Sequence, residues 1–519
     1  MCCVNERRFL CCGNLGVRRV HMEKKIYRED HEEQPFDMED SLIFTARQNI
    51  VLEMKRSPIK RYSALFSVLL VFSFASTATR LRHVVLPSLR LCEGFLPNSR
   101  LCSDTARLLT GHRSETYWCD RSDNRTDICY IHGDVHLYPG IAGQKVSVHL
   151  FSNDDSTWHG EEQIQPYTRK YDPATMDTVD PVVLKSKYTE FFHPVESVCD
   201  IVHSVPLILF SAGGYTGNPY HDFQDVLVPM FITSKPYNGE VVFGITQARD
   251  WWLEKFSPLL RQMTKYEIID MNQNKKVHCF PDATIGLRLH GELKVDPAHM
   301  PHNETMKDFQ DMVHRAYGDC PSHKHLAEAK ASSRCANYSL KGSDCKLKLV
   351  ILARNQTRMI LNQAQVASFA QREGFDVQVL NPWGGTNLRT LYKVINGADV
   401  MMGVHGAALT HMVFMRPRSV LIQIVPLGTD WPSRTYYQEP AINSLHLQYL
   451  EYRITPDEST LSRTYSRDHP AVTDPEAVIA KNWETRKKIY MQGQDVRLSL
   501  QKLKMVLHEA KRLASMSMS

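Results

Sequence analysis

Seven consecutive segments decide the fold: KLVILAR (348–354), LNQAQVASFAQREG (361–374), FDVQVLNP (375–382), TNLRTLYKVING (386–397), ADVMMGV (398–404), HGAALTHMVFM (405–415) and SVLIQIVP (419–426). Short apolar runs of strand length alternate with amphipathic stretches of helix length. Gly374 and Gly397 stand where two of the helices should stop. Strand and helix alternating at this spacing means βαβ units and a parallel sheet. Ligands of such sheets bind beyond the carboxyl ends of the strands.

Upstream, LILF (207–210) and VVFGI (241–245) read as two more buried parallel strands. Between them lies GGYTGNPYHDF (213–223), and DFQDVLVPMFIT continues it as a helix. Residues 299–346 are polar and read as a linker. Residues 481–513 read as one last helix, with Leu500, Leu503, Leu507 and Leu513 on one side. A chain of 519 residues exceeds one ordinary core, so two α/β domains are expected. Hydrophobic residues at 43% and charged residues at 23% are ordinary globular values, which excludes collagen, coiled coil and disorder throughout. A net charge of +5 is too small at this length to argue for nucleic acid. The mean hydropathy of −0.34 excludes a multi-pass membrane protein.

One apolar stretch approaches membrane length: YSALFSVLLVFSFASTAT (62–79), preceded by Lys60 and Arg61. It reads as a single transmembrane signal anchor, the alternative being a buried core helix. Residues 1–61 would then be a cytosolic tail and 80–115 a luminal stem. Beyond it come nine cysteines, none in a C-x-x-C pair, and sequons at Asn124, Asn303, Asn337 and Asn355. A single span followed by cysteines and sequons points to an oxidising, glycosylating lumen. Cys119 and Cys129 bracket a polar, turn-rich loop that a short disulfide can close.

Three motifs can carry chemistry. Gly403-Val-His-Gly-Ala-Ala-Leu-Thr-His411 ends a strand and opens a helix with small residues. Helix-start N–H groups form an anion site, and His405, Gly406 and Ala407 stand at that edge; the alternative is tight helix–strand packing. Arg354 and Arg358 follow the first strand of the same unit and suit a phosphate clamp, or else a surface loop. His221 and Asp225, four apart on one helix face, are candidate proton acceptors, or else a structural histidine on a capped helix. No D-x-D, Walker A, G-x-S-x-G, H-E-x-x-H or G-x-G-x-x-G occurs, so P-loop, hydrolase and zincin readings fall away.

Taken together, CDRSDNRTDIC (119–129), PYTRKYD (166–172), GGYTGNPYHDFQD (213–225), HCFPDATIGLRLHGEL (278–293), LARNQTRMILN (352–362), GVHGAALTHMVFMRP (403–417) and VLIQIVPLGTDWPSRTYYQEP (420–440) resemble plant glycosyltransferase family 61. They are most similar to its xylan-decorating clade of arabinofuranosyl- and xylosyltransferases. The resemblance implies a GT-B fold, two Rossmann-like domains facing a cleft, behind a single-pass type II Golgi anchor. It implies an acceptor-side domain over 116–335, a nucleotide-sugar domain over 345–480, and a C-terminal helix (481–519) crossing back to the first. It implies inverting transfer of arabinofuranose or xylose from a UDP-pentose to a xylan acceptor, with no cofactor and no metal. Homo- or hetero-oligomers are compatible with it. On this reading Asp225 or His221, in that order, is the base. Arg354, Arg358, His405, Gly406 and Ala407 hold the diphosphate, and Glu439, in the loop after the last strand, holds the ribose. Two alternatives stand: a transferase acting on glycoprotein glycans, and a non-catalytic xylan-binding or scaffold subunit.

Overall fold

A computed structural model describes residues 117–140, 143–152, 160–188, 199–318, 346–479 and 483–516. The 62–79 stretch, the tail and stem around it, most of the expected linker and the Asn337 sequon lie outside them. Among the described residues no helix is long and apolar enough to cross a membrane.

The 348–426 region folds as its alternation requires. Strands β11 (Leu347–Leu352), β12 (Phe375–Leu380), β13 (Val400–Val404) and β14 (Val420–Val425) are joined by β15 (Gln448–Arg453), which the sequence reading missed. The order is β12-β11-β13-β14-β15 and every pairing is parallel. β13 and β14 are buried along their whole length, as a sheet covered on both faces demands. The helices Gln363–Arg372 and Leu388–Asn396 fall where they were expected. Ala407–Phe414 is a 3₁₀-helix rather than an α-helix. It is buried from Leu409 to Phe414.

The first sheet is mixed, which corrects the expectation of a plain Rossmann-like unit. Its strands are β1 (Tyr117–Asp120), β2 (Ile128–Tyr138), β3 (Ser147–Ser152), β4 (Gly160–Ile164), β5 (Val182–Tyr188), β6 (Ile201–Val202), β7 (Leu207–Ser211), β8 (Val242–Thr246), β9 (Ile269–Asp270) and β10 (His278–Ile285). They run β4-β5-β3-β2-β10-β7-β8-β9, with β1 on β2 and β6 on β10. Only β10-β7-β8-β9 is continuously parallel; β2 meets both β3 and β10 antiparallel. After β7 a continuous helix runs from 219 to 234, with a π-helical stretch at Asp222–Leu227.

Two further expectations are corrected. The supposed linker from 299 contains the helix Met306–Tyr317, started by a Thr305/Asp308 capping box. Its Met306, Phe309, Met312, Val313, Ala316 and Tyr317 are buried. Gln310 donates to the carbonyls of Val413 (3.2 Å) and Met415 (3.0 Å), and His314 meets the Tyr392 hydroxyl at 2.7 Å. This helix therefore wedges between the two sheets, and one core runs through both halves. The expected 481–513 helix is broken: a π-helical turn at Lys487–Gln492 ends at Gly493, and a new helix begins at Leu500. Leu503, Leu507, Ala510 and Ala514 of Leu500–Met516 bury against the second sheet, so this helix does not cross back to the first.

Candidate active site

In the second sheet the strand order reverses direction between β11 and β13. A crevice opens at such a switch point, beyond the carboxyl ends of the strands. β11 delivers Arg354 there and β13 delivers His405 and Gly406. Gly406 has φ +147°, and a Cβ on it would lie 2.2 Å from Arg354 Nη1. Only glycine lets the guanidinium lie against this backbone. Arg354 is aimed by its Nε–H, which donates to the Thr357 carbonyl at 2.8 Å. Arg358 is buried, adopts φ +54°, and points Nη1 at Met491 Sδ (3.3 Å).

His405 is fully buried. Tyr449 donates its hydroxyl to Gln423 Oε1 at 2.9 Å, which turns the Gln423 amide nitrogen towards His405 Nδ1, 3.1 Å away. Nδ1 is thus the acceptor, and Nε2 carries the proton as a donor. Burial, with Arg358, Arg354 and Arg486 nearby, holds the imidazole pKa well below its ordinary value. The result is a neutral donor beside three guanidinium groups, next to the first N–H groups of the 407–414 helix. That arrangement suits a diphosphate.

Across from it, β7 delivers the turn that leads into the 219–234 helix. Asn218 caps the helix by accepting from the Tyr220 N–H at 3.0 Å. His221 and Asp225 are wholly buried one turn apart, with His221 Nδ1 2.7 Å from Asp225 Oδ2. Arg169 donates its Nε–H to the same oxygen at 2.9 Å. Burial works to raise the Asp225 pKa, but Arg169 and His221 prevail and hold it at about 2. His221 Nδ1 has two neighbours, Asp225 Oδ2 at 2.7 Å and Arg169 Nη2 at 3.0 Å. The ionised carboxylate is the nearer and only accepts, which sets the proton on Nδ1 and leaves Nε2 to present its lone pair. Burial and Arg169 lower the His221 pKa, so the ring is neutral at neutral pH. Nε2 has no hydrogen-bond partner among the described residues.

The two halves meet at these residues. The first turn of the 219–234 helix packs on the 407–414 helix, and the Phe223 and Phe414 rings are 5.7 Å apart. The Tyr220 ring touches Tyr436 (5.1 Å) and Tyr437 (6.0 Å), and Tyr437 in turn faces His405 (5.3 Å). The structure therefore gathers His221, Asp225, Arg354, His405, Gly406 and Ala407 around one inter-sheet seam. Glu439 stands apart: it is exposed on a helix spanning 430–444, not a loop, with Arg434 3.8 Å away. Sequence reasoning missed Arg169, Arg486, Tyr220 and Glu292. Arg169, Tyr220 and Glu292 sit inside quoted motifs, PYTRKYD, the 213–225 run and the 278–293 run, which was their only signal.

Cys119 and Cys129 are disulfide-bonded as expected, and Cys199–Cys279 is a second bridge that spacing did not reveal. Two His/Cys/Glu groupings of metal-site geometry, at His136/Cys199/Cys279 and Cys119/Cys129/Glu162, use those bridged cysteines, which have no thiolate to offer. Asn124 and Asn303 are exposed.

The family model described as Glycosyltransferase 61 matches residues 220–422, from the start of the 219–234 helix to the first residues of β14. Over 404 residues the chain is 41% identical to the Xylan glycosyltransferase MUCI21 of Arabidopsis thaliana, covering 77% of this chain and 80% of that one. It is 33% identical over 408 residues to the Beta-1,2-xylosyltransferase XYXT1 of Oryza sativa subsp. japonica, covering 76% and 83%. It is 35% identical over 395 residues to the Alpha-1,3-arabinosyltransferase XAT3 of the same organism, covering 76% of this chain and 64% of that one. With 41% identity over 77% of its length and the family model matching 220–422, the chain belongs to the glycosyltransferase 61 family.

Proposed function

We propose that this glycosyltransferase moves a pentosyl group, arabinofuranosyl or xylosyl, from a UDP-sugar to a hydroxyl of a xylan chain. The names of its relatives supply the substrate class. The observation that carries the mechanism is the position of the His221–Asp225 pair across the seam from Arg354, His405 and Gly406. The acceptor oxygen bonds to the anomeric carbon as that carbon's bond to the diphosphate breaks. His221 Nε2 takes the hydroxyl proton, and UDP leaves with the bonding electron pair. Asp225 holds the tautomer and stabilises the imidazolium, and Arg169 keeps Asp225 ionised. This reverses the order of the two candidates: His221 is the base and Asp225 its partner, because Asp225 is held ionised at about 2 and is too weak a base to take the proton.

Arg354, Arg358, Arg486, the His405 Nε2–H and the amides after Gly406 receive the charge of the departing diphosphate. With that much fixed positive charge the reaction needs no metal ion and no cofactor. The two sheets act as the halves of a GT-B enzyme, one for acceptor and one for donor. Glu439 serves the ribose only if the exposed face of the 430–444 helix turns to the nucleotide. The catalytic part works in the Golgi lumen behind a type II anchor at 62–79, a compartment in which two disulfides and glycans at Asn124, Asn303 and Asn337 belong. The test is a panel of UDP-sugars against xylo-oligosaccharides in chelator, read by product mass and linkage. Pentose addition with UDP-arabinofuranose or UDP-xylose is expected. Transfer only to a glycopeptide, or activity only after manganese is restored, would overturn the acceptor or the metal-free reading respectively.

A further inference from the structure

β7 and β10 are parallel neighbours in the first sheet, so their carboxyl ends open on the same edge. β7 leads to His221. β10 leads to the turn Gly291-Glu292-Leu293, to which the reaction above gives no role. That turn is held in a form the chain does not adopt freely: Gly291 has φ +133° and Leu293, a branched residue, has φ +40°. Gln224 pins it from both sides, donating Nε2–H to the Gly291 carbonyl (3.1 Å) and accepting the Leu293 N–H. Gln224 is on the 219–234 helix between His221 and Asp225. One helix thus fixes the base and the Glu292 turn together, and backbone strain of this kind persists only where its surroundings enforce it.

Two arginine–carboxylate pairs lie side by side here, with Tyr171 between them. Arg169 holds Asp225, and Arg125 holds Glu292. The Tyr171 ring centroid is 5.2 Å from the Arg125 guanidinium and 5.8 Å from that of Arg169. The pairs differ in access: the Asp225 side chain is 0% exposed and the Glu292 side chain 14%. Glu292 takes one hydrogen bond on each oxygen, from Arg125 Nη1 and from the Tyr220 hydroxyl. A carboxylate has about four lone-pair sites, so each oxygen can accept one more. Arg125 is more than nine-tenths buried, and its Nε and Nη2 have no hydrogen-bond partner among the described residues. The cluster therefore combines open acceptor positions on Glu292 with unused donors on Arg125. Sugar rings offer hydroxyls that both donate and accept, which is the complementary pattern.

We infer that Glu292 and Arg125 form the subsite for the acceptor ring, with Glu292 accepting from neighbouring hydroxyls of a pyranose and so fixing the reacting hydroxyl beside His221 Nε2. This rests on the proposed xylan acceptor. Glu292 is bonded to Tyr220, whose ring also faces Tyr436 and Tyr437, so the subsite is tied to the donor half as well.

The test is titration calorimetry with xylohexaose in the presence of UDP, on the wild type, Glu292→Gln and Glu292→Asp. Glu292→Gln should weaken xylohexaose binding about tenfold to a hundredfold, the worth of hydrogen bonds to a charged acceptor. UDP binding, measured alone, should stay unchanged. Initial rates should show the loss chiefly as a raised KM for xylohexaose. Glu292→Asp keeps the charge on a shorter arm and should weaken binding less; it also provides the reading if Glu292→Gln does not fold. Unchanged xylohexaose affinity in a folded variant overturns the subsite. Equal loss of UDP and xylohexaose binding overturns it too, because Glu292 would then be structural. A wild type that binds UDP but no xylo-oligosaccharide removes the acceptor reading itself, a result distinct from either.

Discussion

At the scale of single residues, the site turns on which atom holds each proton. His221→Ala should abolish transfer. Asp225→Asn should lower turnover by about 10²–10⁴-fold, the usual worth of general-base catalysis, since the amide no longer fixes the tautomer. UDP affinity in both variants should match wild type, and loss of UDP binding would place them on the donor side instead. Burial and Arg169 put the His221 pKa below its ordinary 6.5. The acid limb of kcat/KM should therefore fall below pH 6.5, with a plateau above it where His221 is neutral; a limb centred above 7 would exclude His221. Gly406→Val puts a branched side chain where Arg354 Nη1 already lies. It should abolish UDP binding in a folded protein, checked by calorimetry beside a circular dichroism melt. His221, Asp225, Arg354 and Gly406 can be singled out in the sequence as candidates because each stands in a local pattern at a strand or helix end. Arg169 was not, because it acts on Asp225 from 56 residues away and nothing in PYTRKYD names its partner.

At the scale of elements, local periodicity was reliable where one face is buried and failed where the apolar pattern was diluted. The four strands and two helices between 347 and 425 lie within a few residues of their expected bounds. The helix Met306–Tyr317 was read as linker because charged residues crowd its outer face. Yet Met306, Phe309, Met312, Val313 and Ala316 repeat at helical spacing behind the Thr305/Asp308 capping box, so the signal was present. This helix sits where the two sheets join: Phe309 is 6.3 Å from Phe223 and 5.6 Å from Phe231, ring to ring, and fully buried. Phe309→Ala should cost about 3–5 kcal/mol, the range for deleting a buried phenylalanine. Urea unfolding should show the lowered midpoint. A surface linker would tolerate the change with a shift below about 0.5 kcal/mol. The break at Gly493–Ser499 falls outside the leucine stripe, since Leu500, Leu503, Leu507 and Leu513 all follow it and residues 481–492 contain no leucine.

At the scale of the whole molecule, the parallel second sheet could be read from alternation, since each βαβ unit is local. The mixed first sheet could not. β2 pairs with β10 across some 150 residues, and β6 is tethered there by Cys199–Cys279 across 80, and no pattern in the chain announces either. What the assembled molecule adds is direction. On the proposed mechanism the proton acceptor comes from the carboxyl edge of one parallel set and the diphosphate cradle from the carboxyl edge of another, which sets the acceptor and the leaving group on opposite sides of the transferred sugar. Of the seam carboxylates, Asp225 is buried against Arg169, and Glu292, held by Arg125 and Tyr220, is assigned above to the acceptor ring. On the proposed mechanism the sugar is transferred in one step, from the face opposite the diphosphate. The product linkage should have the anomeric configuration opposite to that of the donor. Proton NMR of the first-formed product, through the coupling at the anomeric proton, decides it. Inversion with either pentose agrees with a single displacement driven by His221. Retention would require a group at the seam to form a covalent sugar intermediate, and the arrangement of base and cradle on facing edges would then be wrong.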